Sequence, residues 1–124
     1  MCAHGAVRSP MAAALLTSRA RGAVEARSAA IDPEPGLNPF AVEALQDVGL
    51  DVAGIRPRRW SAEELAASRV IWLGAGVPAE LEAYSVERWD VSQSPVDSLP
   101  AGRRLREELE RRVDLLLAEG PPPL

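Results

Sequence analysis

The sequence predicts a three-layer α/β fold in which a parallel sheet is covered by helices on both faces. Three short runs suit buried strands: residues 23–29 ("AVEARSA"), 69–74 ("RVIWLG") and 86–91 ("VERWDV"). The second run is almost continuously apolar, and helical patterns separate the three. Apolar strands that alternate with helices are typical of parallel sheets buried on both sides. Trp72 and Trp89 lie within these runs, and we expect both in the core.

Short polar and proline pairs mark the helix boundaries. Ser9-Pro10 predicts an N-cap followed by a first helical residue, and Asn38-Pro39 predicts a second helix that Gly49 ends. Ser61 and Glu64 form a capping box for a third helix. The last predicted helix ends at Gly120 and buries one apolar face, formed by Leu105, Leu109, Val113, Leu116 and Leu117.

The first strand expected in such a sheet is missing, because only Met1 precedes Cys2. The first strand of a doubly wound sheet is typically central, so we expect its position to be empty or filled by another segment. We therefore interpret Met1 as an internal strand residue taken as a start. Residues 1–119 are predicted to form one domain that lacks its N-terminal strand, and residues 120–124 to form a disordered proline-rich tail.

Composition excludes several classes of function. The net charge is −4 and all 14 basic residues are scattered arginines, so the chain has no basic footprint for nucleic acid. A single cysteine excludes an internal disulfide and a cysteine-based metal cluster, which favours a reducing cytoplasm, and a single histidine argues against a histidine-rich metal site. No run approaches the ~20 apolar residues of a membrane span. We expect no metal, no membrane and no nucleic-acid partner.

Cys2 and Arg8 are separated by five residues, and this Cys-x5-Arg spacing runs directly into a predicted helix. Gly5 permits a left-handed turn, so the loop amides can converge on an anion beside the positive end of the helix dipole. That field favours the nucleophilic thiolate form of Cys2. Arg8 can hold two oxygens of a tetrahedral oxyanion, and Ser9 can donate a hydrogen bond to the departing sulfur. The predicted oxyanion-binding loop comprises Ala3, His4, Gly5, Ala6 and Val7. The alternative is a buried structural cysteine beside a surface arginine.

The chain resembles the low-molecular-weight protein tyrosine phosphatases and the arsenate reductases built on the same flavodoxin-like fold. Their Cys-x5-Arg-Ser loop, which enters the first helix, is matched by Cys2, Arg8, Ser9 and Pro10. The resemblance continues through residues 25–60 and "VIWLGAG" to the last helix, and so covers nearly the whole chain. It implies a cysteine-dependent enzyme that needs no metal or other cofactor. His4 fits the reductase-like members.

The chain departs from this family at three places. Gly5 replaces an asparagine that holds the strained loop, a change that glycine tolerates. Ala75 stands where reductases with a cysteine relay have a thiol, so arsenate reduction would need an external low-molecular-weight thiol. Gln93 stands at the position of the general acid and cannot deliver a proton; Asp97 is the nearest substitute, and Asp90 is a poorer one. The tyrosines that flank a phosphotyrosine ring are absent.

Three functions follow from these features. The first is a cysteine-dependent phosphatase that hydrolyses phosphate esters through a phosphocysteine intermediate. The second is an arsenate reductase that uses an external thiol, and the third is a catalytically weak oxyanion-binding or regulatory protein, or a truncated pseudoenzyme. The corresponding partners are a phosphorylated small molecule or phosphoprotein, or arsenate. The sequence leaves the oligomeric state open.

Overall fold

The computed structural model describes residues 1–119 except Ala3, His4, Ala6 and Ala53. Four α-helices, a single 3-10 turn and two strands make up the regular structure of these residues. In chain order they are α1 (Arg8–Ala20), α2 (Pro39–Gln46), α3 (Ala62–Ala67), β1 (Val70–Trp72), the 3-10 turn (Ala79–Leu81), β2 (Val86–Arg88) and α4 (Leu99–Ala118). No helix among the described residues is both long and apolar enough to span a membrane.

The strands pair in parallel, as the sequence predicts, with Val70 opposite Val86. Single-residue parallel bridges extend the sheet beyond β1, joining Cys2 to Ala30 and Ala30 to Arg59. The order across the sheet is therefore Arg59, Ala30, Met1–Cys2, β1 and β2. This arrangement confirms a parallel α/β sheet with a short centre.

Met1 and Cys2 occupy the central position of the sheet. The Met1 nitrogen donates to the Ile71 carbonyl at 2.5 Å, and the Leu73 N–H donates to the Met1 carbonyl at 2.7 Å. On the other side, the Cys2 N–H donates to the Ala29 carbonyl at 3.4 Å. The centre is thus neither empty nor a regular strand, and these two residues link its neighbours at one end.

The strand predicted over residues 23–29 is wrong, because this stretch has no regular structure. Its alternating side chains lie in solvent: Val24 is 40% exposed, and Glu25 forms an exposed ion pair with Arg27. Only Ala29 at its end, and Ala30 beyond it, are buried against the sheet. The third predicted strand is also shorter than expected, since β2 ends at Arg88.

Two apolar clusters cover opposite faces of the sheet, which confirms the three-layer prediction. Along β1, Val70 and Trp72 face one cluster, whereas Ile71 and Leu73 face the other, as the period of a strand requires. The larger cluster joins the sheet to α1, α2 and α4, and includes Cys2 and Trp89. The smaller lies under α3 and the 3-10 turn. Both tryptophans are buried, as predicted.

Most helix boundaries follow the predicted signals. The Asn38 side chain accepts from the Phe40 N–H at 2.9 Å, and Gly49 adopts a left-handed φ of 80° beyond the end of α2. Ser61 accepts from the Glu64 N–H at 3.2 Å, completing the predicted cap of α3. The predicted face of α4 is confirmed, although Gly120 and the 120–124 tail lie outside the described residues.

The predicted start of α1 is wrong. The helix begins at Arg8, and Val7 occupies the N-cap position without a side-chain hydrogen bond. Ser9 therefore lies inside the first turn instead of capping it, because its hydroxyl is bound to a distant part of the backbone.

Candidate active site

Cys2 lies at the carboxyl end of the short central segment, where ligands bind in open parallel α/β sheets. Its side chain is only 3% exposed and packs in the larger apolar cluster. The chain then crosses to α1, which begins at Arg8. The first helical hydrogen bond runs from the Met11 N–H to the Val7 carbonyl at 3.1 Å. Cys2 therefore precedes, by a few residues, a helix N-terminus that has no side-chain cap. The free backbone amides at such a terminus attract anions.

Arg8 contributes a buried donor to the candidate site. Its Nε atom is inaccessible to solvent and makes no hydrogen bond within the part of the chain that the structure describes. Leaving a buried guanidinium N–H unpaired is costly, so such groups usually have a ligand or water partner. A guanidinium in this position suits a tetrahedral oxyanion, which it can bind through two nitrogens.

The Ser9 hydroxyl joins α1 to the segment beside Cys2. It donates to the Ala29 carbonyl and accepts from the Ala29 N–H, both at 3.3 Å, and Ser9 is 2% exposed. The same carbonyl accepts from the Cys2 N–H, so Cys2 and Ser9 share one backbone anchor. The expected hydrogen bond from Ser9 to the sulfur stays a prediction.

Gly5 confirms the predicted left-handed turn with a φ of 69°. A Cβ atom at this position would lie 2.9 Å from the Ala30 Cβ and 3.3 Å from the Pro57 Cβ. Gly5 therefore packs too closely against Ala30 and Pro57 for any larger residue, including the asparagine that the resemblance assigns to this position. Val7 packs against the larger cluster, whereas the predicted loop residues Ala3, His4 and Ala6 lie outside the described residues.

The permanent positive charge of the site belongs to Arg8. Burial lowers the pKa of the Met1 ammonium to about 6, an effect that the neighbouring Cys2 opposes. At pH 7 that amino group is therefore mostly neutral, while a guanidinium remains charged. In the described part of the chain, no cluster of histidine, cysteine and carboxylate side chains could hold a metal ion.

Gln93 anchors the segment that follows the sheet. Its Nε2 atom donates to the Leu73 carbonyl at 3.0 Å and to the Val91 carbonyl at 2.9 Å. The side chain thus joins the end of β1 to the chain beyond β2. An ionised carboxylate could make neither bond, so Gln93 has a structural role at the position that the resemblance assigns to the general acid.

Asp97 lies in the same segment, directly before the N-cap of α4, and its side chain is exposed. The structure brings neither Asp97 nor Gln93 into a hydrogen bond with Cys2 among the described residues. Asp90 is also exposed, and its carboxylate lies 3.9 Å from the guanidinium of Arg88. The assignment of the acid to Asp97 stays a prediction.

A hydrogen bond of the Asn38 side chain to the chain beyond the sheet was not predicted from the sequence. The Nδ2 atom of Asn38 donates to the Val96 carbonyl at 2.9 Å, across 58 positions of chain. The local sequence indicated this bond only through the asparagine at the N-cap. An asparagine side chain has an amide N–H donor in addition to the oxygen that caps the helix, and serine and aspartate have no such amide.

The chain matches a family model described as low molecular weight phosphotyrosine protein phosphatase over residues 1–88. It belongs to this family. The match covers Cys2, Arg8 and Ser9 and confirms the resemblance read from the sequence. The family and its structural neighbours are phosphatases or arsenate reductases.

Solved structures of both kinds share the fold. An arsenate reductase in the phosphate binding state superposes with a TM-score of 0.78 at 23% identity, covering 95% of this chain and 93% of that one. The YwlE arginine phosphatase from Geobacillus stearothermophilus gives 0.77 at 22% identity, over 95% and 88%. A thioredoxin-dependent arsenate reductase from Corynebacterium glutamicum gives 0.75 at 28% identity, over 95% of this chain but 57% of its own. The fold alone does not choose between the two activities.

Proposed function

We propose that this protein is a cysteine-dependent phosphatase that hydrolyses phosphate esters at Cys2. The observation that carries the proposal is the buried Nε of Arg8 at the N-terminus of α1, which has no hydrogen-bond partner among the described residues, with Cys2 six positions before it in the chain. Together they supply a nucleophile and a fixed positive charge for one oxyanion. The substrate is a phosphorylated small molecule or a phosphoprotein in the cytoplasm, where the lone thiol stays reduced.

The reaction proceeds in two displacements. The Cys2 thiolate attacks phosphorus, the phosphorus–oxygen ester bond breaks, and the leaving oxygen takes a proton from a general acid. Water then attacks the phosphocysteine, releasing inorganic phosphate and restoring the thiolate. Arg8 and the backbone amides of the loop stabilise the equatorial oxygens in both steps. Ser9 has one hydroxyl proton, so it would donate to the departing sulfur in the second step by giving up its hydrogen bond to the Ala29 carbonyl.

Asp97 is the general acid of this proposal. It is exposed, and it lies on the segment that Gln93 anchors to the sheet. Asp97→Asn should slow hydrolysis of an alkyl phosphate by ~10²–10⁴-fold, and slow an activated aryl phosphate much less, because a good leaving group needs no proton. Gln93→Ala is the comparison: it keeps the Asp97 carboxyl but loosens the segment that carries it, so it should slow the alkyl ester more than the aryl ester, and by less than Asp97→Asn does. Wild-type rates in both variants would show that neither residue serves the departing oxygen.

Arsenate reduction is the second candidate, favoured by the 28% identity to the thioredoxin-dependent arsenate reductase. The Cys2 thiolate would displace hydroxide from arsenate. An external thiol would then attack the sulfur, giving a mixed disulfide and arsenite, so that two thiols supply the two electrons. A second external thiol would reduce the disulfide, because the chain has one cysteine.

One pair of assays tests the proposal. The purified chain is given an activated aryl phosphate, and separately arsenate with a low-molecular-weight thiol or with thioredoxin. Phosphate release that Cys2→Ser abolishes is the expected result. Thiol-dependent arsenite formation without phosphate release would favour the second candidate. Activity in neither assay would overturn the proposal of a phosphatase and leave the third function, an oxyanion-binding protein.

A further inference from the structure

Asn38 makes two kinds of contact at once. Its Oδ1 atom accepts from the Phe40 N–H at 2.9 Å and from the Ala41 N–H at 3.4 Å, which caps α2. Its Nδ2 atom donates to the Val96 carbonyl at 2.9 Å. Capping requires only an acceptor, so the second bond is the property that distinguishes asparagine from the other good N-cap residues.

The second bond holds the segment 92–98, which runs from the end of the sheet to α4. Its start is tied by Gln93 to the Leu73 and Val91 carbonyls, and by the Ser92 N–H to Glu108 Oε1 at 2.9 Å. Its far end is Ser98, which caps α4 by accepting from the Ala101 N–H at 3.3 Å. Between these anchors, the Asn38 bond holds the backbone at the residue directly before Asp97.

Apolar side chains join this segment, and the residue directly before it, to the cluster that contains the nucleophile. Val91 is buried in the cluster that contains Cys2, and Val96 packs against the same cluster. Asp97 follows Val96 and is exposed. A carboxyl group on a free loop would sample many positions, whereas proton transfer requires the donor within hydrogen-bond reach of the departing oxygen.

We propose that Asn38 is a positioning residue for the proton donor: its side-chain amide holds Val96 and thereby sets where Asp97 stands relative to Cys2. The inference rests on the proposed phosphatase function and deepens it. Asn38 touches neither substrate nor reacting atoms, and acts only through the segment that carries Asp97.

Two substitutions separate the cap of α2 from the bond to Val96. Asn38→Ser and Asn38→Asp keep an oxygen that caps the helix, but neither can donate to Val96 as the amide does. Serine is the neutral variant, which guards against the added charge of aspartate near Asp97. Ser61→Ala, which removes the cap of α3, is the control for a general loss of stability.

The measurement is kcat/KM for an alkyl phosphate and for an activated aryl phosphate. Asn38→Ser should lower the alkyl value at least ~10-fold more than the aryl value, because only the alkyl ester needs the proton. In an Asp97→Asn background the same substitution should change the alkyl value no further, since the two residues act as one unit. Ser61→Ala should leave the ratio of the two values unchanged.

Equal losses on both esters, or additive effects of Asn38→Ser and Asp97→Asn, would overturn the positioning role while leaving the phosphatase intact. Amide hydrogen exchange of residues 92–98 gives a readout without activity: it should quicken in Asn38→Ser, and unchanged exchange would also overturn the role. A wild-type chain that hydrolyses neither ester would overturn the phosphatase, and the positioning role with it.

Discussion

At Gly5 the backbone combines a left-handed φ of 69° with a packing contact that leaves no room for a side chain. The sequence predicted the first property, because a tight oxyanion loop needs a positive φ. It could not predict the second, because Ala30 and Pro57 reach Gly5 from 25 and 52 positions away. The small residues at all three positions therefore serve one close contact.

Gly5→Ala should destabilise the protein by about 2–4 kcal/mol. A left-handed alanine costs ~1–2 kcal/mol, and forcing a methyl group against Ala30 and Pro57 adds a similar amount. Chemical denaturation measures this loss, and phosphate protection of Cys2 against alkylation should disappear with it. Gly76→Ala is the matched control, since nothing lies within 4 Å of its added Cβ, and it should stay within ~0.5 kcal/mol of wild type. Equal effects of the two substitutions would contradict the packing argument.

At the level of elements, the sequence predicted those helix ends that depend on contacts between residues close in the chain. Asn38, Gly49 and Ser61 mark helix ends through contacts within a few residues, and all three predictions are confirmed. Ser9 carried the same signal and misled, because its hydroxyl binds Ala29, 20 positions away. The alternation of residues 23–29 predicted a strand wrongly, because no strand among the described residues pairs along this stretch, and most of its side chains lie in solvent.

For the candidate site, as for the helix ends, the sequence predicted residues that are close in the chain but not the contacts between distant segments. The spacing from Cys2 to Arg8 predicted a nucleophile and its cation, because the two residues are only six positions apart, and this assignment stays a prediction. The contacts of Gln93 and Asn38 escaped notice, since they join segments 20 and 58 positions apart. A sequence shows which side chain could donate, but not which distant carbonyl receives the bond.

The packing of α2 against α4 depends on Gly102. A Cβ there would lie 2.8 Å from the Phe40 carbonyl oxygen. Gly102→Ala should lower the free energy of unfolding by about 1–2 kcal/mol, because overpacking costs ~1–3 kcal/mol and exceeds the gain of ~1 kcal/mol in helix propensity. Arg104→Ala, on the exposed side of the same helix, should change it by less than ~0.5 kcal/mol. A Gly102→Ala protein more stable than wild type would show that the helices can separate without cost.

The start of α3 contains an acid-sensitive contact. Arg58 donates two hydrogen bonds to Glu64, at 2.8 and 2.7 Å, and with smaller help from Ser61 lowers the Glu64 pKa to about 2. A carboxylate with a lowered pKa stabilises the fold fully above its unfolded value of 4.5, and loses that contribution as the pH falls through 2.

Arg58→Ala should therefore destabilise the protein by at most ~1 kcal/mol at pH 7, because both side chains are partly exposed and solvent screens the pair. The difference from wild type should shrink between pH 4.5 and pH 2. Denaturation at several pH values measures it, with Arg69→Ala, which pairs instead with Glu87 and Glu119, as a second exposed arginine for comparison. A difference that stays constant down to pH 2 would assign the effect of Arg58 to packing.

Across the whole molecule, charged side chains tie together the three helices that cover the larger cluster. Arg106, with a side chain only 11% exposed, binds Glu110 within α4 and donates to the Ala44 carbonyl of α2 at 2.8 Å. Arg19 of α1 binds Glu110 and Asp114. These contacts join α1, which begins at Arg8, to α4, and α4 to α2.

Oxyanion binding should consequently stabilise the entire fold. The anion would bridge the central segment at Cys2 and α1 at Arg8, two parts that separate on unfolding. Phosphate at one hundred times its dissociation constant should add about 2.7 kcal/mol to the free energy of unfolding. Cys2→Ser should keep this effect, since it retains the loop and the cation, whereas Arg8→Ala should lose it. Thermal unfolding in phosphate, with chloride at matched ionic strength as the reference, measures the difference. Equal stabilisation of Arg8→Ala and wild type would place the anion elsewhere, because this variant lacks the guanidinium that the predicted site requires.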